Sequence, residues 1–245
     1  MNAAVSALAA AATSVVVTVC SLFLSERQQR RRELRGERHQ LNAKYLNPLR
    51  LHLVENHFRL SRISNHTSAR GPDATMLVID DPADVSAKDA AWFTGAGYAL
   101  MSSVYLTACL FAHLKKVRED FPYLRLSATD DTRLAALLLR VQRGFRYQEG
   151  VYYVTQPSIG EAVWVRGDER LLTYREFCEK LQDPAWRMWN DRLIMFHLET
   201  ARGEKTERTG RLLAALAQLS EFLDDCVGGG KSIESRVRAE SDVPL

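Results

Sequence analysis

The chain has 245 residues, 46% of them hydrophobic and 26% charged, and its 33 Lys/Arg against 30 Asp/Glu leave a formal net charge of +3. That balance excludes a nucleic-acid footprint, which would spread basic charge over a folded face together with aromatics. The four cysteines, Cys20, Cys109, Cys178 and Cys226, are far apart with no CxxC pair. This excludes a disulfide framework and reads as reduced thiols.

Ala3 to Leu24 carries no charge, and Arg27, Arg30, Arg31, Arg32, Arg35 and Arg38 follow directly. About 20 residues at 1.5 Å rise cross the hydrocarbon core of a bilayer, so residues 1–24 are expected to form a transmembrane anchor. A cleaved secretory signal would need a basic leader and a small-residue cleavage site. Only Met1 and Asn2 precede this run, and Leu22-Phe23-Leu24-Ser25-Glu26-Arg27 is a poor cleavage context. From Ser25 to Ile63 ten Lys/Arg stand against four Asp/Glu, a local net charge of +6. The positive-inside rule then expects a single-pass protein of the plasma (inner) membrane, with its N-terminus outside and its main domain cytoplasmic. Residues 25–44 read as a basic juxtamembrane helix whose arginines can each gain roughly 1 kcal/mol from anionic lipid.

Residues 45–228 are long enough for one helical domain with its own core. Asn47-Pro48 reads as an N-cap and first helical position. Leu49, Leu53, Asn56, Leu60 and Ile63 then form one stripe at helical spacing. Asn65 to Asp84 reads as a loop. Ser86 and Asp89 suggest a capping box opening a helix to about Arg118. Its charge-free stretch Ala90–Ala112 is a second candidate span, but it contains Gly, Ser, Thr and Tyr and is read as a central helix. Leu134, Leu137, Leu138, Val141 and Phe145 give another helical face. Tyr147–Val154 and Val163–Leu172 read as small hairpins, the second with short interrupted helix as an equal alternative. Thr173 with Glu176 forms a further capping box, and Asp183-Pro184 starts the helix of Trp186, Trp189, Leu193 and Phe196. Leu212, Leu216, Leu219, Leu223 and Cys226 make the last stripe, closed by Gly228-Gly229-Gly230. The tail, 229–245, has no apolar period and reads as disordered. The expected fold is all-α: an anchor, then a five- to six-helix bundle with possible small hairpin insertions.

Several tempting motifs fail. Gly230-Lys231-Ser232 lacks the glycine that a phosphate-binding loop needs at Asp225, and a helix rather than a strand precedes it. Arg166-Gly167-Asp168 is a turn, since the expected topology hides it from extracellular receptors. His52 and His57, five apart on a helix, diverge by about 140° and cannot readily share a metal. His113 and His197 are isolated and read as partly buried, satisfied histidines. Glu161 is the most interesting carboxylate: it lies in a weakly polar run, and Arg140, Arg143 and Arg146 are its nearest candidate ion partners. A raised pKa could suit it to proton transfer, but a buried Glu161–Arg143-type pair that fixes helix register is the preferred reading. Asn56, central on its stripe, reads as a core hydrogen-bonding residue. No cofactor or metal signature is visible, and no Ser/His/Asp or Cys/His set.

Tyr45-Leu46-Asn47-Pro48-Leu49-Arg50 continuing to Phe58-Arg59-Leu60, the Ser158-Ile159-Gly160-Glu161 run, and Tyr174-Arg175-Glu176-Phe177 together resemble an uncharacterised bacterial family of N-terminally anchored proteins. The resemblance spans most of residues 1–226 and implies an all-helical cytoplasmic domain on a membrane anchor. It transfers no functional residue. Two classes of function remain. One is a membrane-tethered interaction module with a protein partner and anionic lipid at its base. The other is an enzyme or sensor of a small or lipidic ligand, with an inter-helix pocket near Glu161, Trp92, Tyr98, Tyr105, Trp164 and Trp189.

Overall fold

A π-helical turn, Asn42–Leu46, runs straight into α1, Asn47–Arg70. The computed structural model describes residues 42–120, 128–165 and 167–227, together with the helical residues Glu26, Arg27, Gln29 and Gly36. The anchor expected at Ala3–Leu24, the juxtamembrane Arg30, Arg31, Arg32, Arg35 and Arg38, and the tail 229–245 lie outside the described residues. Among the described residues, no helix is long and apolar enough to cross a membrane.

The stripe read from the sequence is the buried face of α1: Leu49, Leu53, Asn56, Leu60 and Ile63. Its ends differ from expectation. Because the preceding turn is already helical, Asn47 does not cap, and no side chain caps the N-terminus. The helix also runs past Asn65 to Arg70, where Gly71 at φ 83° ends it. Only glycine adopts that conformation without strain. Next, Asp81 and Asp84 form a capping box over a 3₁₀ turn, Pro82–Ala87.

The single helix expected after Ser86 is two. Asp89 accepts from the Trp92 amide and opens α2, Ala90–Thr94, while Ser86 bonds the Leu181 carbonyl instead. The chain then breaks at Gly95–Gly97. A β-carbon on Gly97 would lie 2.4 Å from the Trp92 ring, so the break lets that indole fold back over the backbone. Helix α3, Tyr98–Glu119, follows with fourteen buried residues and is the central helix of the domain.

Helix α4, Ala128–Arg146, buries Leu134, Leu137, Leu138, Val141 and Phe145. The hairpin expected at Tyr147–Val154 does not form. A 3₁₀ turn, Tyr147–Glu149, leads instead toward α5, Thr155–Ala162, a helix the sequence reading missed. The second hairpin does form: β1 (Trp164–Val165) pairs antiparallel with β2 (Arg170–Leu171), Trp164 opposite Leu171. Thr173 and Glu176 cap α6, Tyr174–Leu181, reciprocally. Asp183 starts α7, but only as Pro184–Arg187. The stripe then breaks: Trp189 is 55% exposed, whereas Leu193 and Phe196 are buried in α8, Asp191–Ala201. Finally α9, Thr206–Val227, buries Leu212, Leu216, Leu219 and Leu223.

The domain is thus all-α around four helices of 19 to 24 residues. Helix α1 lies between α3 and α9; α4 packs on the other side of α9, and α5 packs against α3. Gly160 lets α5 approach: a β-carbon there would meet the Phe111 and Ala112 backbone at 2.5 Å.

Candidate functional site

Polar groups in the interior are organised as two networks. In the first, Asn56, 1% exposed, donates to the His52 and Leu106 carbonyls at 2.8 and 3.0 Å and accepts from the Thr107 hydroxyl at 2.8 Å. His197 Nε2 lies 3.0 Å from the same hydroxyl. Thr107 has one hydrogen, so if it is given to Asn56, His197 must be the donor and carries its proton on Nε2. Burial, then the charges of Arg208 and Arg59, push the His197 pKa down to about 3, so the ring is neutral. Asn56 therefore ties α1 to α3 and, through Thr107, to α8.

The second network is ionic. Arg208, fully buried in the first turn of α9, donates to Glu199 Oε2 at 2.6 Å and lies 4.4 Å over the Phe196 ring. Arg192 donates to Glu199 Oε1 at 2.8 Å, to the Gly150 carbonyl at 3.2 Å, and to the Glu149 carbonyl. Burial alone would raise the Glu199 pKa, but the two guanidinium groups outweigh it and hold it below the usual value. Outside this network, Gln148 and Glu149 sit consecutively at φ 49° and 61°. Such backbone costs about 1–3 kcal/mol per residue and persists only where the surroundings over-determine it. Here Arg192 does so, by holding both carbonyls that follow.

The strained turn closes one end of a groove of about 840 Å³ between α4 and α9. Its floor is small: Gly144, Ala214 and Ala215. A β-carbon on Gly144 would lie 3.1 Å from Leu212 Cα, so the two helices meet closely there. Its rim is cationic, with Arg140, Arg143 and Arg146 from α4 and Arg211 from α9, against Glu149. Arg211 stacks 4.2 Å over the Tyr147 ring and pairs with Glu207 at 2.6 Å. Arg140 meets only the neutral Gln218, at 2.9 Å. Arg143 and Arg146 have no carboxylate partner among the described residues.

A second cavity, about 670 Å³, is lined by Ser158, Glu161, Trp164, Lys180, Trp186 and Trp189 among others. It brings together three residues of the expected pocket, Glu161, Trp164 and Trp189. Trp92, Tyr98 and Tyr105 do not line it; Tyr98 and Tyr105 instead pack edge-on against Tyr174. Glu161 itself is exposed and lies 3.7 Å from Lys115. The expected Glu161–Arg143 pairing is not formed, because α5 turns Glu161 toward α3 while Arg143 faces α9. Tyr152, Tyr153 and Val154 stand exposed just before α5, and Met188 and Trp189 just before α8. Tyr152 lines the groove and Trp189 the second cavity.

Sequence spacing also missed the real histidine pair: His52 stacks on His113, centroids 4.9 Å apart, across α1 and α3. Burial, then His52, lowers the His113 pKa to about 4. Among the described residues no cluster of three or more His, Cys, Asp or Glu could hold a metal. Compared with protein families, with curated proteins and with solved structures, the chain gives no match.

Proposed function

We propose that this chain is a membrane-tethered interaction module, anchored by residues 1–24 with its helical domain in the cytoplasm, that docks a protein partner. Arg27, Arg30, Arg31, Arg32, Arg35 and Arg38 bind anionic lipid headgroups next to the anchor, and the tether raises the local concentration of the domain near a membrane-bound partner. The resemblance to anchored bacterial proteins agrees with this placement. One observation carries the reading: Tyr152, Tyr153, Val154, Met188 and Trp189 are each more than half exposed. Arg192 draws their two segments together through Glu149 and Gly150. Aromatic residues and methionine are the side chains enriched in interface cores, and here five large apolar side chains stand exposed on the two chain segments that Arg192 joins. A photoreactive phenylalanine analogue at Tyr153 or Trp189 of the full chain, irradiated in native membranes, should give one defined adduct. The same analogue at Leu51, equally exposed on α1, should give none. Adducts of equal yield at all three positions, or none at all, would sink the docking face.

A second reading rests on the Trp164–Trp186–Trp189 cavity, where Glu161 and Lys180 supply opposite charges to a ligand-sized space. In that case a small or lipidic ligand changes the tryptophan emission, and Glu161→Gln weakens its binding. An unchanged response in Glu161→Gln removes the role of that carboxylate.

A further inference from the structure

We infer that the groove between α4 and α9 is an anion site built for a compact ligand carrying several phosphate groups. The inference does not rest on the partner-docking reading, although Tyr152 of that face also lines the groove and Arg192 braces the turn that both adjoin.

Three observations combine. The first is unbalanced charge. Arg140, Arg143, Arg146 and Arg211 converge on one concavity whose lining holds a single acid, Glu149. Even counting Glu207, which pairs with Arg211, the cations exceed the anions by two. Elsewhere in the domain Arg170, Arg175, Arg187, Arg192 and Arg208 each meet a carboxylate within 3.2 Å. Bringing like charges together lowers stability, so a site that does so with too few internal acids to balance them is suited to an external anion. The second is shape. Gly144, Ala214 and Ala215 keep the floor low beneath long side chains, which leaves about 840 Å³, within the range of small-ligand pockets. A short concavity, open to solvent and stopped at one end by the turn Tyr147–Gly150, suits a compact polyanion better than an extended acidic peptide. The third is the turn Tyr147–Gly150, in which two successive left-handed residues are held from behind by Arg192. Strained backbone maintained at the mouth of a cavity is a mark of a preorganised site.

The residue type narrows the chemistry. Guanidinium presents a planar fork that meets phosphate oxygens in pairs, and it stays charged at any accessible pH. Arg143 and Arg146, three apart and therefore about 4.5 Å apart along the helix axis, can each take a separate group, with Arg140 and Arg211 closing from the two sides. Arg211 is already oriented by its stacking on Tyr147 and its bond to Glu207.

The test uses the full chain in phosphatidylcholine nanodiscs, titrated calorimetrically with inorganic triphosphate at physiological salt. Wild type should bind, and Arg143→Ser/Arg146→Ser should weaken binding at least tenfold without lowering the unfolding temperature. Arg143→Lys/Arg146→Lys, which keeps the charge but loses the fork, should fall between them. Arg175→Ser, whose guanidinium pairs with Glu179 on α6, should bind like wild type. Repeating the titration in nanodiscs containing phosphatidylglycerol identifies the source of the phosphate. Measured against nanodiscs of equal negative charge made with a phosphate-free sulfolipid, a further tenfold loss of affinity there means that lipid headgroups occupy the groove, and an affinity equal to that control means a free ligand. Either outcome supports the site. Undetectable binding by wild type would overturn it, as would a double-serine variant that binds like wild type.

Discussion

Two arginine clusters lie one turn apart on α9 and meet opposite fates. Arg208 is sealed against Glu199 and the Phe196 ring, and Arg192 shares the same carboxylate from the other side. Arg211, three residues on, opens the groove that it shares with Arg140, Arg143 and Arg146, where the four guanidinium groups outnumber the acids, Glu149 in the lining and Glu207 beside it. The turn Gln148–Gly150 is the wall between them: its carbonyls face the sealed cluster, and its side chains border the open one. The lesson is a division of labour. Buried charge fixes where the turn stands, and exposed charge is left available to something outside the chain.

The largest expected effect breaks the sealed cluster. Glu199→Gln leaves two guanidinium groups without their carboxylate, and removing one partner of a buried pair costs about 3–5 kcal/mol. Thermal unfolding of the full chain in detergent followed by circular dichroism should register it. A loss under 1 kcal/mol would mean the cluster does not hold the turn. Next comes Gly160→Ala on α5. Its new methyl group would meet fixed backbone at 2.5 Å, so a net loss of about 1–3 kcal/mol is expected despite alanine's better helix propensity.

Acid should weaken the interior in a defined window. His197 and His113 have pKa values lowered to about 3 and about 4. Unfolding frees each to take up a proton near pH 6.5. Their stability contribution is therefore complete above pH 6.5 and is lost as the pH falls toward 4, at up to roughly 1.4 kcal/mol per pH unit for each ring. Denaturant unfolding at pH 7, 6, 5 and 4 reads that slope, and His197→Gln should flatten it. Smallest of all, Arg143→Ala and Arg146→Ala should change stability by no more than about 0.5 kcal/mol each, as exposed residues with no carboxylate partner among the described residues do.

The two faces also differ in how far the sequence disclosed them. Leu49, Leu53, Asn56, Leu60 and Ile63, and likewise Leu212 through Leu223, declared their helices because one apolar stripe maps onto one buried face. Helix α5 escaped because Pro157 and Gly160 look like turn residues. Yet proline is tolerated in a first turn, and glycine serves the close contact with α3. The break at Met188–Asn190 escaped for the opposite reason: Trp186, Trp189, Leu193 and Phe196 keep a helical period through it. Asn56 announced itself as a polar residue inside a stripe. Glu161 could not be paired correctly, because its partner depends on how α5 rotates against α3. The groove left its basic half in the 140–146 run, but Arg211 lies 65 residues away and only the crossing of α4 and α9 unites them. The His52–His113 stack spans 61 residues and leaves no local signal at all.

That the working face of this domain is separable from its fold is tested most directly by comparing two variants in one experiment. Unfolding free energies of full-length Glu199→Gln and Arg143→Ala/Arg146→Ala should be measured side by side, with the triphosphate affinity of the second. We predict a large loss of stability for the first. For the second we predict native stability with at least tenfold weaker triphosphate binding. If the double alanine variant unfolds as readily as Glu199→Gln, or keeps wild-type affinity, the groove arginines serve the fold or nothing, and the account is wrong.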